Sequence, residues 1–205
     1  GINLVASCGP LRAGDAVLRT VAGAVEQGFR GCHSCFDAPS PGKDADCVAL
    51  FERIRGGVDP EATLLYECYA LPREPLLQAM ERCFAASILI LSPCFFDAAL
   101  MARYKGYRFS REELERTLAR IADRPKLQAF VFFAITNLEP WTDADIDERV
   151  AYMRSLKARF GCRASAMPVL AEPGSPRITF PGMYPGADVQ LTFEDFWQQW
   201  SAPLD

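Results

Sequence analysis

Two kinds of apolar segment alternate along the chain. Residues 87–92 read Ser-Ile-Leu-Ile-Leu-Ser, a continuous apolar run with no polar side. A strand of that composition is buried on both faces and belongs inside a parallel sheet rather than at an antiparallel edge. Residues 126–135 repeat the pattern, and 63–69 predict a third strand through Leu64, Leu65, Tyr66, Cys68 and Tyr69. Short apolar stretches at 2–7 and 30–36 predict a first strand and a weak second one. Between these runs the apolar residues move to helical spacing. Val17, Leu18, Val21 and Val25 mark a helix over 13–27, with Gly28 just past its end. Val48, Leu50, Phe51 and Ile54 mark another over 44–55, stopped by Gly56 and Gly57. Further helices are predicted over 76–85, 110–122, 143–160 and 192–200.

The punctuation between segments agrees. Ser110 followed by Glu113 is a capping box at the start of the 110–122 helix. Residues 37–43, with Pro39, Pro41 and Gly42, read as a loop, as do the proline-flanked residues 70–75. The proline- and glycine-rich stretch 168–186 is the one long irregular segment. Strands that alternate with helices argue for βα units and a parallel sheet, in a single α/β domain over residues 1–205.

Composition narrows the function classes. Half of the 205 residues are apolar, 23% are charged and the net charge is −4. That balance carries no basic footprint, so nucleic acid is not an expected partner. No apolar run approaches the ~20 residues of a membrane span, and no signal peptide is visible, so a cytoplasmic location is expected. The chain opens on Gly1 rather than Met, which is compatible with residues upstream. The eight cysteines are expected to be reduced, because a chain with this much apolar content does not need staples.

Chemical motifs are sparse. Cys32-His33-Ser34-Cys35 has C-x-x-C spacing, yet two further zinc ligands at comparable spacing are missing and no helix starts directly after it. His33 is the only histidine, so histidine-based catalysis has one possible base. Glycine-rich phosphate loops, a nucleophile elbow and the H-E-x-x-H zinc motif do not occur. The turn at residues 9–14 could hold an anion at a helix start, though an ordinary βα turn is the simpler reading. Glu112, Glu113 and Glu115 crowd a first helical turn, where acidic residues usually complement the helix dipole. No metal site and no resident cofactor are expected.

Several of these segments, taken in order, resemble the Toll/interleukin receptor (TIR) domain family. Ser-Ile-Leu-Ile-Leu-Ser-Pro-Cys-Phe-Phe at 87–96 is similar to the family's central strand. Ala70-Leu71-Pro72-Arg73-Glu74-Pro75 is similar to its BB loop, and Phe193 to Trp200, with Phe196 and Trp197, to its box 3. Box 1 corresponds only loosely to residues 32–37, which leaves 1–28 as an N-terminal addition, and 97–109 lacks the usual Trp-Cys.

The resemblance implies a three-layer, flavodoxin-like, mostly parallel sheet flanked by helices. It implies a signalling module, as in innate immunity, that associates with itself or another TIR-like domain through Pro72, Arg73, Glu74 and Pro75. For enzymatic members it implies cleavage of NAD as substrate, with Glu113 as the catalytic carboxylate. A third class stays open: another nucleotide- or nucleoside-handling α/β domain, whose ligand would sit at the carboxyl ends of strands, near residues 7–9, 69–71 and 92–94.

Overall fold

A computed structural model describes residues 2–3, 14–37, 41–57, 61–68, 70–94, 102, 109–135 and 142–168. Six strands form one sheet: β1 (Ile2–Asn3), β2 (Gly31–Asp37), β3 (Thr63–Cys68), β4 (Ala86–Cys94), β5 (Leu127–Ile135) and β6 (Arg163–Pro168). The helices between them are α1 (Gly14–Glu26), α2 (Pro41–Gly57), α3 (Glu74–Cys83), α4 (Arg111–Ala122) and α5 (Asp143–Phe160). Every described strand pair is parallel. The α/β sheet flanked by helices is therefore the one that the alternation of segments predicts. Residues 1–28, set apart by the box 1 alignment, contain β1 and α1, and β1 pairs with β2 in the same sheet.

Strand order within that class is sequential, β1-β2-β3-β4-β5-β6. A flavodoxin-like sheet has the order 2-1-3-4-5, which sends its helices to both faces. Sequential order with right-handed crossovers instead delivers successive helices to the same face. Ion pairs trace that arrangement. Arg53 of α2 meets Asp15 of α1, and Arg82 of α3 meets Glu52 of α2. Arg124, in the turn after α4, reaches Glu74 and Glu81 of α3. Arg111 and Arg159 then tie α4 and α5 together through Glu148 and Glu115. Each helix thus touches the next in chain order, and the described helices form one continuous layer.

Burial along the strands says the same. In β3, Leu64, Tyr66 and Cys68 are buried while Thr63, Leu65 and Glu67 are partly or fully exposed. In β4, Leu89 and Leu91 are buried and Ile88 is 41% exposed. The pleat turns successive side chains to opposite faces, so one face of the sheet supplies the core. Against it pack Val21 of α1, Ile54 of α2, Leu76, Leu77 and Met80 of α3, and Leu118 of α4. Phe51 sits edge-on to both Tyr66 and Phe84, with ring centroids 6.4 and 5.1 Å away.

Element boundaries shift where proline acts as a helix starter. α2 begins at Pro41, inside the segment expected to be loop, and α3 begins at Glu74, two residues earlier than expected. A proline in the first turn brings a pre-set φ and lacks only an N–H that would have no helical partner. β6 lies in a stretch that gives no strand pattern, because its alanines and serine are not β-formers. The predicted helix over 192–200 lies outside the described residues.

Candidate functional site

The sequence-predicted site residues do not converge. Glu113 is the third residue of α4 and closes the capping box anticipated for it. Its Oε2 accepts a hydrogen bond from the Ser110 N–H at 2.7 Å, and the Ser110 Oγ accepts from the Glu113 N–H at 3.2 Å. Glu113 is exposed, and among the described residues its carboxylate meets no other acid, base or nucleophile. Glu112 beside it is held below the usual carboxylate range by the Ser110 hydroxyl and by backbone N–H groups at the helix start.

The loop 70–75 is partly anchored. Pro72 is buried, Arg73 is the residue preceding α3, and Glu74 and Pro75 already belong to the helix's first turn. Arg73 Nε lies 3.8 Å from Oδ2 of Asp44, a nearly buried carboxylate in the first turn of α2. Glu74 is bound by Arg124 and accepts from Gln78 Nε2 at 2.9 Å. Arg73 and Pro75 are the two members that remain exposed.

The C-x-x-C motif lies on β2, where Cys32 points into the core as a buried free thiol. Cys47, Cys68, Cys83 and Cys162 are likewise free and buried. Burial raises the Cys83 thiol to about 11, the loss of solvent outweighing the nearby Arg82. These thiols fill space as small hydrophobes. Among the described residues no group of His, Cys, Asp and Glu could hold a metal ion. Most of the 9–14 turn, most of the 97–109 stretch and box 3 lie outside the described residues.

A different surface stands out once the helix layer is placed. The face of the sheet opposite the helices carries Leu65, Ile88, Ile90, Phe130 and Phe132, none of which joins the core cluster. Interior parallel strands are ordinarily covered on both sides, yet these residues are half-buried or exposed. Polar groups interrupt the apolar surface toward the carboxyl ends of the strands. Ser92 Oγ donates to Glu67 Oε1 at 3.3 Å, which fixes both side chains on this face. Glu67 is half-buried, and Ser92 is its one hydrogen-bond partner among the described residues. One strand away on the same face is His33, in register with Leu65, and its Nε2 is shielded from solvent with no hydrogen-bond partner.

Comparison with protein-family models and with curated proteins finds no match for this chain.

Glu67 was visible in the sequence as a carboxylate inside an apolar strand, a position where Glu is normally depleted. The hydrophobes of 63–69 identify the strand but not the face that its one charge takes. Its meaning depended on which face it took, and that depends on the strand order.

Proposed function

We propose that this chain binds a small organic molecule on the face of its sheet opposite the described helices, across β3, β4 and β5. The observation that carries the reading is the half-buried Glu67 carboxylate, set among partly exposed apolar side chains with a single serine hydroxyl as partner among the described residues. A carboxylate so placed is under-satisfied and gains from a ligand that brings hydrogen-bond donors. The apolar residues beside it supply a surface for the body of a ligand, and polar groups that fix orientation are few, as in most small-molecule sites.

The test is a ligand-stabilisation screen in three proteins: the natural sequence, Glu67→Gln and Arg73→Ala. Compounds that raise the melting temperature of the natural protein should lose that effect in Glu67→Gln and keep it in Arg73→Ala. Retention of every effect in Glu67→Gln would sink the reading.

A second reading is the TIR-like one, association with another copy through Pro72, Arg73, Glu74 and Pro75. It is favoured by the exposure of Arg73 and Pro75. Light scattering of Arg73→Ala separates it from ligand binding, because a loop-mediated oligomer should dissociate. The NAD-cleaving form of that reading asks Glu113 to leave its cap and meet a substrate.

A further inference from the structure

The register of the sheet places four residues in one row across the uncovered face. Glu67 is level with Ile90, Ile90 with Phe130, and Phe130 with Arg163 on β6. The row begins with a carboxylate, continues through an aliphatic and an aromatic side chain, and ends with a guanidinium. Glu67 and Arg163 are three strand spacings apart, about 14 Å between Cα atoms, too far for their backbones to bring the charges together directly. Arg163 is exposed and makes no ion pair among the described residues. Six of the other described arginines (Arg53, Arg73, Arg82, Arg111, Arg124 and Arg159) do make one. The half-buried carboxylate at the other end has, among the described residues, only the Ser92 hydroxyl.

Resting on the reading that this face binds a small molecule, we infer that its ligand is a zwitterion with an aromatic or aliphatic body. Its cationic donor group, an ammonium or similar, meets Glu67, whose carboxylate the buried Ser92 hydroxyl holds in place. The body lies over Ile90 and Phe130, and its anionic group, a carboxylate, meets Arg163. Each end of the row thereby gains an opposite charge, and the apolar middle gains cover. A ligand with one charge leaves the other end of the row unpaired, and a neutral one leaves both. Arginine suits the anionic end because its planar fork can take a carboxylate with two parallel hydrogen bonds.

The experiment uses three matched probes: 4-(aminomethyl)benzoate, benzylamine and benzoate. Binding is read from the methyl signals of Ile88 and Ile90 in two-dimensional NMR of the full chain. The zwitterion should bind about tenfold tighter than either single-charge probe, the equivalent of one charge-assisted hydrogen bond. In Glu67→Gln the zwitterion should lose its advantage over benzoate, and in Arg163→Gln its advantage over benzylamine. Arg163 is exposed, so Arg163→Gln keeps the test open should Glu67→Gln fold poorly. Equal affinity for all three probes would overturn the zwitterion while leaving ligand binding on this face intact. No response of the Ile88 and Ile90 methyls to any of them would overturn both.

Discussion

Leu89 and Ile88 are neighbours on β4, and the one-layer arrangement of helices requires that shortening them should differ sharply in cost. Leu89 is 0% exposed and points into the helix layer, whereas Ile88 is 41% exposed on the opposite face. Leu89→Ala removes buried methyl groups and leaves a cavity that the packed core only partly closes, at about 2–5 kcal/mol. At Ile88 solvent already reaches the side chain, so no closed cavity forms. Complete burial of such a residue contributes roughly 1.5–3 kcal/mol, and a partly exposed one forfeits only part of that, about 1 kcal/mol. Ile is the better strand former of the two, so lost propensity narrows the difference without closing it. Urea unfolding reads the difference. With a slope of about 1–3 kcal/mol per molar, the Leu89→Ala midpoint should fall by roughly 1–2 M and the Ile88→Ala midpoint by about a third of that or less. Equal shifts would refute the arrangement, because they would mean that the second face is covered as fully as the first.

Other consequences are as definite. Ser110→Ala should cost about 1 kcal/mol of stability through loss of the α4 cap, with Ser110→Ala/Glu113→Ala no worse than additive, since the two groups serve one box. Arg124→Ala should cost about 1 kcal/mol in denaturant unfolding and less in high salt, because it removes the clamp from the turn before β5 onto Glu74 and Glu81. Gly161 ends α5 with φ +63°, so Gly161→Ala should destabilise by about 1 kcal/mol despite open space around it. Alkaline pH should weaken the fold. Burial raises Cys83 from 9.0 to about 11 and Tyr152 from 10.0 to about 12, so the unfolded chain loses these protons first. Their contribution is complete below pH 9 and declines as pH climbs toward 11 and 12. Urea midpoints measured from pH 8 to 11 should fall, and fall less in Cys83→Ala.

Much of this fold can be read in the chain before any coordinates. The strand at 87–92 has no polar side, and a parallel interior strand is what forms around it. The capping box at Ser110 and Glu113 is made as spacing predicts, and α5 spans residues 143–160 as its pattern does. Boundaries moved at Pro41 and at Glu74-Pro75, because a proline that breaks a helix in its interior favours one at its start. Strand order was not legible, since each βα unit obeys the same local rules whichever neighbour it pairs with. That one missing fact concealed the site. An apolar run such as Ile88 to Leu91 suggests cover on both faces, whereas the sequential order puts the described helices on one face and leaves Ile88 exposed and Ile90 half-buried on the other. Glu67 and Arg163 are almost a hundred residues apart in sequence, and no spacing rule joins them. Two intervening strands do.

The central claim is that the sheet face opposite the described helices is the working surface of the protein. A methyl-resolved NMR titration with a panel of amino acids, dipeptides and nucleosides tests this most directly. Ligand-induced shifts should cluster at Leu65, Ile88 and Ile90 and spare Leu76, Leu77 and Leu118 in the helix layer. Shifts confined to the helix layer, or to Leu71 beside Pro72 and Arg73, would contradict it.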